Sequence, residues 1–182
     1  MIFMLVRMLR SVTSEHAETT RVPQEPPASP SPIALTWHGE PGRHEELTHT
    51  MLMGQAKRAA AALARLGVRA GDPVAVHLPL VPESVIVTLA CGRLDAVRTT
   101  LPVYLTVPEL AARTRESGAK VIVTADAAFW DGAVRPVKPV LDRALRHNCP
   151  QVRSVLVVNR TSRPVSWTAG RDHWWHEALA AR

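Results

Sequence analysis

The sequence predicts an α/β fold: alternating helix and strand, a predominantly parallel sheet with helices on both faces, and a β-hairpin and disordered leader in front. Three stretches lead there. Residues 73–101 read as strand, helix, strand with short joints, the βαβ crossover of a parallel sheet. Lys120–Thr124 (KVIVT) and Val152–Val158 (VRSVLVV) are nearly continuous apolar runs, as strands buried on both faces are.

Met1–Pro32 reads as a flexible leader. Its apolar start is broken by Arg7 and Arg10, well short of the ~20 residues that cross a bilayer, and no cleavage site follows. Pro23, Pro26, Pro27, Pro30 and Pro32 then forbid both helix and ladder. Ile33–His38 and Glu46–His49 flank a Gly-Glu-Pro-Gly turn and read as the hairpin. Thr50–Leu66 has the clearest helical period, with Leu52, Ala56, Ala59, Ala60, Leu63 and Leu66 on one face and Gly67 as the stop.

Val74–Leu78 follows a Gly-Asp-Pro turn as a short strand, and Pro82 and Glu83 suit the first turn of the helix that runs to Leu94. Ala96–Leu101 is the next strand. Glu109–Ser117 is a charged helix ended by Gly118, and Lys120–Thr124 the strand after it. Ala133–Asn148 opens irregularly around Pro136 and Pro139, then turns helical over VLDRALRH. Arg171–Arg182 is read as a last helix carrying Trp174 and Trp175.

A net charge of +6 and a pI near 10.3 raise the question of a polyanion partner. Nearly all of the 22 basic residues are Arg and no basic run or aromatic-interleaved patch occurs, so nucleic-acid binding is not expected. Two cysteines, Cys91 and Cys149, make neither a disulfide framework nor a metal quartet. With no export or membrane segment expected, the expected setting is the cytoplasm.

The chemistry-bearing residues do not assemble into a catalytic set. The nine glycines are never closer together than Gly39 and Gly42, so no phosphate-cradling Gly-rich loop is present. His173 and His176 stand three apart on the expected last helix without a third ligand. Asp72, His77 and Ser84 have the residue types of a triad but no nucleophile elbow. The expectation is therefore no catalytic residue and no metal site.

The stretch LPLVPESVIVTLACGRLDAV resembles the AMP-forming acetyl-CoA synthetases of the adenylate-forming superfamily, in which an MPMVPE turn leads into a helix ending LACARIGAV. ALTWHGEPG followed by ELTH is similar to the family's first hairpin, and WTAGRDHWWHEAL to a later family segment written nearly the same way. The resemblance covers Ile33–Ala180 and implies a partial AMP-binding domain over residues 33–182, the front of the family's large domain. It implies ATP, Mg2+ and coenzyme A as the family's cofactors, acetate activation through acetyl-AMP as its reaction, and for this region a share of the coenzyme A surface.

Two departures bear on that surface. Where the family has FGGFS, this chain has Pro102-Val103-Tyr104-Leu105-Thr106, which resembles the P..YT of other acyl-CoA ligases and puts acetate preference in question. Where the family has RAGR, whose arginines face the coenzyme's phosphate, this chain has Trp130, Asp131, Gly132 and Ala133. Gly132 and the nearby Arg135 are the coenzyme A phosphate-site residues that the resemblance implies, with an acidic side chain now between them and the aromatic one. The expectation is a truncated acetyl-CoA-synthetase-like chain, inactive alone. Three alternatives stay open: half of a split ligase completed by a partner chain, a stand-alone coenzyme A or adenine-nucleotide binding module, and a structural remnant. Because the tryptophan-bearing late helix is expected to pack on material outside the chain, an exposed apolar patch and self-association are expected too.

Overall fold

A computed structural model describes residues 31–40 and 42–181; the expected leader lies outside them except for Ser31 and Pro32. Those two residues are fastened to the first helix, the Pro32 carbonyl accepting from His49 N at 3.0 Å and Ser31 Oγ lying 2.9 Å from Thr50 Oγ1.

The chain opens with the antiparallel hairpin β1 (Ile33–Glu40) and β2 (Arg43–Thr48). Helix α1 (His49–Arg65) follows at once, its N-terminus closed by Thr48 Oγ1 accepting from Met51 N at 3.2 Å. Next come β3 (Pro73–His77), α2 (Pro82–Arg93), β4 (Val97–Thr100), α3 (Val107–Ser117) and β5 (Val121–Ala125). A second hairpin, β6 (Ala127–Trp130) and β7 (Ala133–Pro136), precedes α4 (Lys138–Leu145), β8 (Ser154–Val158), β9 (Asp172–Trp174) and α5 (Trp175–Ala180).

The main sheet has the order β4-β3-β5-β8-β9 and is parallel throughout. Alternation along the strands sorts the core into two layers. Val74, Val76, Val121, Val123, Leu156 and Val158 face α1, α2 and Trp175 of α5. Ala75, Ile122, Val155 and Val157 face α3 and α4 through Leu110, Ala111, Leu141 and Ala144. Helices therefore cover both faces, and α2 is apolar around most of its girth because it packs on α1 as well as on the sheet.

Two local expectations are corrected. Residues 133–136, in the stretch Ala133–Asn148 expected to open irregularly, are instead strand β7, paired with β6 in a hairpin around the Asp131-Gly132 turn, where φ is 53° and 73°. Both values suit the left-handed two-residue turn that matches strand twist, a conformation open to Gly and tolerated by Asp. The expected last helix begins only at Trp175, because Asp172–Trp174 pairs with β8 as the sheet's edge strand. His173 and His176 thus lie on different elements. Trp175 is buried in the chain's own core, while Trp174 stacks on Trp167 with ring centroids 4.7 Å apart. The exposed large apolar side chains include Leu80, Val97, Tyr104 and Trp167 rather than the tryptophan pair.

Candidate functional site

In an open parallel sheet, ligands bind beyond the carboxyl ends of the strands where successive crossovers leave in opposite directions. Here that place lies between β3 and β5. The crossover from β3 runs through α2 on one face, and the crossover entering β5 runs through α3 on the other. A pocket of about 430 Å³ opens at this end of β3 and β4.

Its walls come from four segments. Leu78, Pro79, Leu80 and Val81 form the loop from β3 into α2; Thr100, Pro102, Val103 and Tyr104 continue β4 toward α3; Phe129 and Trp130 end β6; Trp37 and Gly39 belong to β1. The lining is overwhelmingly apolar, with Leu80 and Tyr104 exposed at the rim. Such a surface favours a flat, weakly polar group such as an aromatic base over a charged one.

Trp37 is held on several sides. Its Nε1 donates to the Leu80 carbonyl at 2.6 Å, and Gly39 lies so close that only a residue without Cβ fits beneath the ring. The Arg160 guanidinium covers the indole, with Cζ 4.6 Å from the ring centroid, and its Nη1 reaches Glu45 Oε1 at 2.9 Å and Glu83 Oε1 at 3.3 Å. Burial pushes the Glu83 carboxyl above its ordinary range, and Arg160 pulls it part of the way back.

The two residues at which the resemblance implies a phosphate site lie on the hairpin that carries the Phe129–Trp130 wall, and neither of them lines the pocket. Gly132 is the second residue of the β6–β7 turn, directly after the Trp130 wall, and Arg135 stands on β7. Arg135 Nη2 lies 3.6 Å from Asp131 Oδ2, an exposed pair of the kind that solvent weakens. The structure brings Pro102–Tyr104 and Phe129–Trp130, distant in sequence, to the lining of one cavity.

Other residue sets resolve into local structure. Ser84 Oγ donates to the Val81 carbonyl at 2.7 Å, Asp72 accepts from Arg69 N at 2.9 Å, and His77 Nδ1 lies 2.9 Å from the Leu101 carbonyl. These three do not meet as a triad. His77 ends β3 fully buried, and burial lowers its pKa from 6.5 to about 4, the Leu101 carbonyl opposing the shift. A neutral imidazole donating from Nδ1 leaves Nε2 as a buried acceptor without a partner, and Thr124 Oγ1, on the residue paired in register with His77, is likewise unpartnered. Among the described residues no three His, Cys, Asp or Glu side chains gather as a metal-holding group.

Sequence reasoning missed two buried cations. One is Arg160; the other is Lys138, whose Nζ donates to Asp142 at 2.8 Å, to the Ser166 carbonyl at 2.9 Å, and lies 2.9 Å from Asp172 Oδ2. Arg171 completes the cluster by bridging Asp142 and Asp172 at 2.7 and 2.6 Å. Burial alone would raise the Asp172 carboxyl, but Arg171, Lys138 and Thr168 N together hold it below the ordinary range. This cluster pins residues 166–172 against α4 and takes no part in the pocket.

Comparison with known proteins agrees with this architecture. The family model of the AMP-binding enzymes matches residues 23–181. Acetyl-coenzyme A synthetase of Streptomyces avermitilis is 40% identical over 148 residues, covering 81% of this chain and 22% of that protein. The Mycobacterium bovis acetyl-coenzyme A synthetase is 41% identical over 152 residues (82% of this chain, 23% of that one), and the Penicillium chrysogenum protein of the same name 38% over 152 (83% and 23%). The chain spans less than a quarter of the length of these relatives. Matched over nearly all of its described residues, the chain belongs to the AMP-binding enzyme family and is similar to acetyl-coenzyme A synthetases within it.

Proposed function

We propose that this chain is an acetyl-CoA-synthetase-like coenzyme A-binding scaffold of the cytoplasm, in which the pocket receives the coenzyme's adenine. The single observation that carries this reading is the meeting of Pro102–Tyr104 with Phe129–Trp130 around one apolar cavity. Tyr104 and Trp130 offer ring surface for a base, and base–aromatic stacking contributes roughly 1–3 kcal/mol per base. Arg135 is the cation nearest in sequence to that wall for a phosphate, with Asp131 competing for it. Weak coenzyme binding follows from that competition.

The same residues do not fit a triphosphate. Isolated turn glycines supply no nest of successive backbone amides, and the chain has no Gly-rich loop. We therefore place acetate activation outside the residues of this pocket.

Titration calorimetry with coenzyme A, dephospho-coenzyme A and adenosine tests the binding. Coenzyme A binds, and Trp130→Ala weakens it about tenfold, the loss expected for one stacking contact. Absence of heat with all three compounds overturns the reading. Pyrophosphate release from ATP and acetate by the purified chain alone would overturn the assignment of catalysis elsewhere.

A further inference from the structure

We propose that Arg160 is the positioning residue of the pocket: without touching ligand, its guanidinium sets Trp37 and the Leu78–Val81 loop in the arrangement that admits a flat ring. The proposal rests on the reading that the pocket takes a ligand, whatever that ligand is.

Arg160 stands just past β8, where its main chain is fixed from two sides. Its N–H donates to Asp126 Oδ1 at 2.8 Å, and its carbonyl accepts from Arg43 Nη1 at 2.7 Å. The side chain is only 5% exposed and serves three elements at once. Glu45 belongs to β2, Glu83 to the first turn of α2, and the Trp37 ring to β1.

The loop from β3 into α2 is consequently held at two points that both lead to this one cation. Leu80 is tied through the Trp37 indole nitrogen, and the loop's downstream end is tied through Glu83. Hairpin wall and loop wall are thereby registered against each other by a single group. A buried cation costs more than an apolar side chain of its size, so it contributes most by specifying an arrangement. Lysine does not replace it, because a planar guanidinium stacks on an indole while donating in its own plane, and an ammonium does not.

The test uses Arg160→Lys in the full chain, with two probes: coenzyme A, and the uncharged apolar dye N-phenyl-1-naphthylamine. Two-dimensional 1H–15N NMR resolves the indole N–H groups of the five tryptophans, and the Trp130 signal reports that the dye sits in the pocket. In the variant, the Trp37 signal moves while those of Trp167, Trp174 and Trp175 stay in place, and dye affinity falls about fivefold. A merely structural role would move all the indoles together as the fold loosens.

The proposal is overturned by an unshifted Trp37 signal, by an unchanged dye affinity, by a collective shift, or by failure of the dye to reach the pocket in the wild type. If the dye behaves as expected and coenzyme A binds neither protein, the coenzyme reading fails and this one stands. If Arg160→Lys does not fold, Glu45→Gln decides. Loosening the guanidinium from its partly exposed side lowers dye affinity about twofold, and an unchanged value overturns the proposal.

Discussion

A Cβ on Gly39 would lie 2.4 Å from Cζ2 of Trp37, closer than any side chain tolerates. The indole cannot swing away freely, because its Nε1 is bonded to the Leu80 carbonyl and Arg160 covers it. Gly39→Ala therefore forces a shift of ring or backbone at a wall of the pocket. Overpacking of this kind costs about 1–3 kcal/mol. Urea denaturation should show that loss, together with a changed indole fluorescence, whereas Gly54→Ala, where nothing lies within 4 Å of the added methyl group, should be neutral or stabilising.

His77 gives the fold a predictable response to acid. The native imidazole takes up its proton only near pH 4, and the unfolded chain does so near 6.5. Between those values the unfolded state binds more protons, so this contribution is complete above pH 6.5 and is lost as pH falls toward 4. Its size is roughly 3 kcal/mol at ~1.4 kcal/mol per pH unit. Denaturant midpoints measured from neutral pH down to about pH 4 should fall more steeply for the wild type than for His77→Asn. Parallel curves would show that the imidazole is not the group responsible.

The β3–α2–β4 unit was legible because its signals are local. A Gly-Asp-Pro turn, an apolar strand and Pro82 at a helix start each act within a few residues. The Asp131-Gly132 turn is equally local, and Phe129-Trp130 before it and Ala133-Val134 after it complete a recognisable hairpin pattern. Pro136 and Pro139 mask it, because both read as breakers in the sequence while in the structure they end β7 and start α4. Strand β9 has only three residues and exists because β8 offers a free edge, which nothing in Asp172–Trp174 announces. The pocket was out of reach for a different reason: Trp37, Tyr104 and Trp130 meet only after the sheet is built. Arg160 and Lys138 were passed over because a charge in a sequence reads as a solvated one. The clue for Arg160 was its place just beyond a wholly buried strand, and for Lys138 its place between Val137 and Pro139.

The entry to α3 carries a side-chain cap that decides how the Pro102–Leu105 wall is handed to the helix. Glu109 Oε2 accepts from Thr106 N at 2.8 Å and from Thr106 Oγ1 at 2.6 Å. These bonds hold the Glu109 carboxyl below its ordinary range. Thr106→Ala should cost about 1 kcal/mol, and Thr106→Ser should recover most of it because the hydroxyl is restored. Thermal unfolding of the two variants compares them directly; equal losses would assign the effect to the threonine methyl group instead.

Lys138 should be the most costly single side chain to remove. It is fully buried, and without it the part-buried Asp142 and the buried Asp172 keep only Arg171 as a cation. Breaking one partner out of a buried ionic set costs about 3–5 kcal/mol, a large part of the roughly 5–15 kcal/mol that stabilises a typical domain. Lys138→Met should show this loss at neutral pH, and the added change Asp142→Asn should recover part of it by removing the uncompensated charge. The deficit should also shrink as pH is lowered. Asp172, held below its ordinary range in the wild type by Arg171 and Lys138, loses one of these two cations in the variant and accepts a proton more readily. If instead Lys138→Met and its double variant are equally stable at neutral pH and respond alike to acid, the cluster acts through packing and its charges are incidental.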